Sequence, residues 1–316
     1  MMQVVELAGR EDIARVFVAR MRESERSLVE CVGAVDPALP RSDKMVIVVS
    51  TQLGCPVGCA MCDAGTAYYG NLTAAEIQAQ IDLVLREWAG PQASSCRKLK
   101  VQFARMGEPA LNPAVLAVIV SLAQRQDLPG LMPCIATTAP VAGARWMREL
   151  IEVRNRWFGR GRFQIQLSVQ STSEDARDRL IPIAKWTLPE LAQFARASTR
   201  PSDRKIALNF ALAPGIEVSA DKLAKLFDPR VCMVKLTPLN PTTRAVQNNL
   251  SSSFGPGGEH RVVQLVNDIR RHGFDCVVST GLPEESEMRT SCGQLARIRG
   301  ATIHSSEATG IPPQSA

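Results

Sequence analysis

The sequence predicts an α/β fold, and three observations carry that reading. Short β-branched runs alternate with amphipathic helical patterns through the middle of the chain. The β-α-β-α order implies parallel strands with right-handed crossovers, in a doubly wound sheet or a full or partial barrel. The 316 residues would make roughly two domains of about 150, yet an α/β barrel commonly uses such a length for one. Finally, 45% hydrophobic and 22% charged residues supply a large core and exclude disorder, collagen and coiled coil.

Residues 13–35 stand apart from the alternation, because RVFVARM and SLVECVGAV flank the polar turn RESER and predict a hairpin. Candidate strands follow at 45–51, 99–104, 131–137, 163–168, 205–211 and 230–236. Between the first two, Thr73 and Glu76 form a capping box that opens a helix with Ile77, Ile81, Val84, Leu85 and Trp88 on one face. Residues 112–126, 141–153, 187–199 and 219–227 read as helices of the same kind. A helix over 260–271 and a strand over 274–279 precede a loop-like stretch with Cys292, and 305–316 reads as frayed. The expected divisions are an N-terminal extension over 1–44, a core over 45–280 and a C-terminal segment over 281–316. In such folds chemistry collects at the carboxyl ends of the strands.

The longest uninterrupted aliphatic stretch, Met45 to Val49, is far short of the 18 or so residues of a membrane span. The charged first twenty residues do not resemble an export signal, so a cytoplasmic chain is expected, with no membrane partner. In a reducing compartment the nine cysteines are free for metals or chemistry. The net charge of +6 permits a phosphate-bearing partner without demanding one. Arg154, Arg156, Arg160 and Arg162 around Trp157 and Phe158 suit either an RNA-binding loop or a solvated loop with its aromatics tucked inward.

Immediately after the first core strand, Gly-Cys-Pro-Val-Gly-Cys-Ala-Met-Cys sets Cys55, Cys59 and Cys62 in C-x3-C-x2-C spacing. Three thiolates on one loop suit an iron–sulfur cluster or zinc, and no second C-x2-C or His pair closes a four-ligand zinc site. Three ligands leave one iron of a cubane open to a reactant. The spacing and its place after the first strand resemble the radical S-adenosylmethionine (SAM) superfamily. The resemblance implies a partial (β/α)6 TIM-like barrel, a [4Fe–4S] cluster whose open iron is chelated by SAM, and reductive cleavage of SAM to a 5′-deoxyadenosyl radical. It also implies an electron donor such as flavodoxin or ferredoxin.

Further stretches narrow the branch. Met106-Gly107-Glu108-Pro109 follows the second strand, and the fourth ends in Leu167-Ser168-Val169-Gln170. The sixth runs into Leu239-Asn240-Pro241, and Ser291-Cys292-Gly293-Gln294-Leu295 lies near the C-terminus. In this order they resemble the RlmN/Cfr family of radical SAM methyltransferases over about 44–300. That resemblance implies that Cys292 is the methyl carrier and that Gly107, Glu108, Thr138, Ser168, Gln170 and Asn240 contact SAM. Thr138 stands where the family has serine and Gln170 where it has histidine.

Two departures bear on the substrate. The family's resolving cysteine, seven residues before the first cluster cysteine, is Val48 here, so the family's release step cannot run unchanged. Of Cys31, Cys96, Cys134, Cys232 and Cys276, each expected to be a small buried hydrophobe, Cys276 is the preferred replacement. In addition, only about 44 residues precede the first core strand, where the ribosomal enzymes carry an RNA-holding helical domain. The expectation is a C-methyltransferase acting on an sp2 or unactivated carbon of a small molecule or peptide. RNA as substrate, or a non-methylating oxidation or rearrangement, remains an alternative. Tyr68 and Tyr69 either shield the cluster or simply pack.

Overall fold

The structure is a computed structural model and describes residues 2–36, 38–254, 258–279 and 293–299. The strands are β1 (Gln3–Arg10), β2 (Ala14–Arg20), β3 (Leu28–Val35), β4 (Met45–Val49), β5 (Gln52–Gly54), β6 (Tyr68–Asn71), β7 (Leu99–Phe103), β8 (Leu131–Thr137), β9 (Gln164–Ser168), β10 (Ile206–Leu212), β11 (Cys232–Pro238) and β12 (Cys276–Val278). The helices are α1 (Ala74–Val84), α2 (Ala114–Ala123), α3 (Ala144–Trp157), α4 (Glu174–Leu180), α5 (Leu188–Ser198), α6 (Ala220–Leu226), α7 (Thr243–Gln247) and α8 (Glu259–Arg271).

Ten strands form one sheet in the order β1-β2-β3-β4-β7-β8-β9-β10-β11-β12. Pairing is parallel from β4 onward and antiparallel from β1 to β4. The six expected core strands are all present, joined by crossovers that bury an apolar helix face on the sheet. Thr73 and Thr187 each close a capping box, with Glu76 and Glu190, and so fix where α1 and α5 begin.

The N-terminal segment differs from the expected separate hairpin. β1 adds a third strand, and β3 hydrogen-bonds β4 in the register Val32↔Val48, Gly33↔Ile47, Ala34↔Val46 and Val35↔Met45, so the segment prolongs the main sheet. The physical reason is burial: Val29, Cys31 and Val32 are as inaccessible as the core, and an unpaired β4 edge would leave backbone groups without partners. Period-2 patterning shows that these residues form strands, but not which strand they pair with.

Because side chains alternate, one face of the sheet presents Val46, Val48, Lys100, Gln102, Cys134 and Gln166 to a cavity of about 710 Å3. Ala34 of β3 and Val277 of β12 line the same cavity, so strands near both ends of the sheet face a common space. No helix among the described residues is long and apolar enough to cross a membrane.

Candidate active site

The cysteine loop rises from a two-stranded hairpin that the sequence did not signal. β5 and β6 pair antiparallel, Gln52 with Asn71 and Leu53 with Gly70, and the Cys55 amide donates to the Ala67 carbonyl at 3.0 Å, closing the base of the loop. Three neighbours brace it. The Ala60 amide donates to the Leu180 carbonyl of α4 (2.9 Å). The Thr242 hydroxyl donates to the Met61 carbonyl (2.9 Å). The Arg244 guanidinium spans the Gly65 and Gly58 carbonyls at 2.7 and 2.9 Å.

Asp63, the residue after Cys62, is buried with its carboxylate accepting from the Thr243 and Arg244 amides (3.1 and 2.9 Å) and from Arg297 Nη1 (2.9 Å). Its side chain thus satisfies two of the orphan amides at the N-terminal end of α7.

Cys55, Cys59 and Cys62 are partly buried thiols. Desolvation pushes the Cys55 thiol up to about 11 and the Cys59 thiol up to about 12. Thiolates there are costly unless a cation meets them. Among the described residues no three His, Cys, Asp or Glu side chains are grouped closely enough to hold a single metal ion. Three soft sulfurs on one braced loop are the donor set of iron–sulfur chemistry.

The Gly107-Glu108 turn after β7 is bonded to this hairpin. The Glu108 amide donates to Gln52 Oε1 (2.8 Å), and Asn112 Nδ2 donates to the Thr51 and Leu72 carbonyls (2.7 and 2.8 Å). Gly107 has φ +99°, and a Cβ there would lie 2.6 Å from Gln52 Cβ, so only glycine fits. The buried Glu108 carboxylate accepts from the Thr137 hydroxyl (2.5 Å), the Thr138 hydroxyl and amide (both 2.8 Å) and the Ala110 amide (3.0 Å). Burial nonetheless holds its pKa above the usual carboxylate range, against those donors. Of the expected SAM contacts, Glu108 and Thr138 are thus in direct contact.

Ser168 ends β9, and Gln170 lies two residues beyond in a left-handed conformation (φ +67°). Two successive amides, Val169 and Gln170, donate to the Asn209 carbonyl, and Gln170 Oε1 accepts from the Ala211 amide (2.8 Å), which leaves Nε2 as its donor. Asn209, in register with Ser168, is buried with Oδ1 lacking a donor. No signal in the sequence marks it, since an Asn within an apolar strand run carries no motif. Asn240 is exposed after β11, two residues before the Thr242 that bonds Met61.

Cys292 lies outside the described residues. Gly293, next in the motif, is described: its amide donates to Glu30 Oε2 (3.0 Å), and the Ala296 amide donates to Glu30 Oε1 (2.8 Å). A Cβ on Gly293 would meet the Ala64 nitrogen at 2.5 Å, so the motif packs against the cysteine loop. Glu30, fully buried on β3, is held by Arg105 at 2.6 Å. Nothing local marks Glu30: Arg105 is far from it along the chain, and the Gly293 and Ala296 amides lie more than 260 residues away.

Val48 faces the cavity, and the register Val48↔Gln102↔Cys134 brings Cys134 onto the same face. This corrects the preference for Cys276. That residue is buried and pairs with Val234, and neither of the two lines the cavity. Tyr68 and Tyr69 are 44% and 47% exposed; Tyr68 bonds Asn71 and Tyr69 lies under Arg26. In the Arg154–Arg162 segment, Arg154, Arg156 and Trp157 belong to the end of α3 rather than to a loop. Arg154 is buried against Asp203 at 3.2 Å, Phe158 packs on Phe163, and the segment precedes β9 at its amino end.

No protein-family model matches the chain. It is 28% identical over 271 residues to the probable dual-specificity RNA methyltransferase RlmN of Deinococcus deserti, covering 84% of this chain and 74% of that protein. It is 31% identical over 267 residues to the protein of the same name from Frankia alni, covering 80% and 59%. Among solved structures, a radical SAM methyltransferase from Sphaerobacter thermophilus superposes with a TM-score of 0.70 at 21% identity, over 93% of this chain and 80% of that one. Streptococcus suis SuiB, solved with S-adenosylmethionine, shares the fold at a TM-score of 0.52 and 13% identity over 77% and 52%.

Proposed function

From the chain's place in the radical SAM superfamily, as a divergent member of the RlmN/Cfr-like branch, we infer an enzyme that moves a one-carbon unit from SAM to a carbon of its substrate. Cys55, Cys59 and Cys62 would hold a [4Fe–4S] cluster, with SAM beside it. Once reduced by an external one-electron donor such as flavodoxin or ferredoxin, the cluster would supply the electron that opens the SAM sulfonium to a carbon radical. The common cavity faced by strands near both ends of the sheet supports the partial-barrel reading.

Glu108 and Thr138 receive the ammonium end of SAM. Gly107 lets the backbone approach, and Ser168, Gln170 and Asn240 bond the rest of the molecule. Asn209, with a buried acceptor awaiting a donor, joins them. Cys292 carries the methyl. The observation that carries this reading is the seat of Gly293 against Ala64, which brings the Cys-Gly-Gln-Leu motif to the loop of the three cluster cysteines. Val48 cannot resolve an adduct, and Cys134 is the thiol that shares its cavity.

The substrate is read as non-ribosomal on the strength of Val48 and of a cavity sized for a small molecule. The names of the relatives favour the rival substrate, RNA. Anaerobic turnover with SAM labelled in its methyl group decides. Label on Cys292 and then on a small product is the expected result. Label on an adenine of RNA would install the rival, and an unlabelled Cys292 would end the methyl-carrier reading. Cys55→Ala, Cys59→Ala and Cys62→Ala are each expected to lose cluster iron and SAM cleavage together.

A further inference from the structure

The deep part of the cavity is strongly cationic. Lys44, Lys100, Lys235 and Arg204 all line it, and the lining holds one carboxylate, Asp36. That carboxylate is bonded to Lys44 at 2.6 Å, and Arg204 Nε donates to Gln164 Oε1 at 3.0 Å. Lys100 and Lys235 face the cavity with no hydrogen bond or ion pair among the described residues. Lys235 stands in register with Asn209, and through it with Ser168, so it belongs to the layer of the inferred SAM contacts. Lys100 lies on the opposite wall, in register with Val46. Desolvation, then Lys100 and Lys44, pull the Lys235 amine down to about 8, offset only by the Cys134 thiol. Lys98, just outside the lining, is likewise depressed by burial and by the neighbouring Arg204, Lys100 and Lys44.

Like charges collected in a partly dry cavity repel one another, and an anion between them would remove the penalty. Two unbonded ammonium groups act as point charges suited to a compact dianion, and the cavity's arginine has its Nε bonded to Gln164. Gln102 and Gln166 add neutral amides on the same face. The cavity, about 710 Å3, has the capacity of a small-molecule site. Lys100 is the second residue of β7, in the amino-terminal half of that strand.

We propose that this cavity binds a small molecule through a phosphate monoester held between Lys100 and Lys235, with the rest of the molecule directed toward the SAM residues. Calling that molecule the substrate rests on the function proposed above; the binding site does not.

The test is calorimetric titration of the full chain with inorganic phosphate at neutral pH, alongside Lys100→Met and Lys235→Met, with succinate and a short single-stranded RNA as parallel probes. Phosphate is expected to bind, with affinity reduced ten-fold or more in each variant, and to raise the melting temperature of the wild type but of neither variant. The melting measurement also shows that each variant is folded. No phosphate binding, binding unchanged in both variants, tighter binding of succinate, or RNA as the probe whose binding the variants lose would each overturn the proposal. SAM cleavage by the wild type is measured separately. Its failure would remove the proposed function and leave the phosphate titration standing, and the converse holds.

Discussion

At the scale of single residues, charge in low dielectric makes the sharpest predictions. Glu108 is a buried carboxylate whose natural counterion is a cation, so Glu108→Gln, which keeps the shape, is expected to weaken SAM binding ten-fold or more, the effect of about 1.5–3 kcal/mol for a charged hydrogen bond. Titration of the reconstituted protein with SAM measures this, and unchanged affinity would remove Glu108 from the site. Lys235 gives a pH-dependent prediction. Its folded value of about 8 lies below its ordinary 10.5, so the unfolded chain binds the extra proton between those values. Its charge therefore destabilises the fold by about 3 kcal/mol below pH 8, and this cost fades as pH rises to 10.5. Lys235→Met should melt higher than wild type at pH 7, and the gap should close by pH 10.5. Cys134→Ser removes the thiol that shares the cavity with Val48, and turnover is expected to stall with substrate attached to the protein, visible as an added intact mass.

At the scale of elements, the cysteine loop is a part held by its neighbours. Asp63 joins it to α7 and to the short helical segment carrying Arg297, so Asp63→Asn keeps the shape but removes the carboxylate that Arg297 and two amides address. A loss of about 2–4 kcal/mol in stability and a fall in iron bound per chain on anaerobic reconstitution are expected. Full iron content would show that Arg244 alone suffices. The core strands and most helices were legible in the sequence because burial on one face imposes a period on each. The β5–β6 hairpin was not, being three or four residues a strand, too short for any period to register. The hairpin over 13–35 was legible as strands, but its union with β4 was not, because edge pairing depends on which apolar surface is left uncovered.

At the scale of the whole molecule, β3 backs β4 and its Glu30 holds the turn after Cys292, so the N-terminal strands and the C-terminal motif share one structure. A single cooperative unfolding transition is expected by calorimetry, and an earlier separate melting of residues 2–35 would count against that unity. The sequence by itself determined the parallel α/β architecture, the C-x3-C-x2-C spacing of the three candidate cluster thiols and the order of the motifs, since each is written in local spacing along the chain. Only the tertiary structure decided that Cys134 rather than Cys276 accompanies Val48, that Glu30 and Asp63 grip the two ends of the site, and that unpaired lysines meet in one cavity. Those facts follow from strand register and from contacts between residues far apart in the chain, and a side chain's neighbours across a sheet are set by how all ten strands pack together.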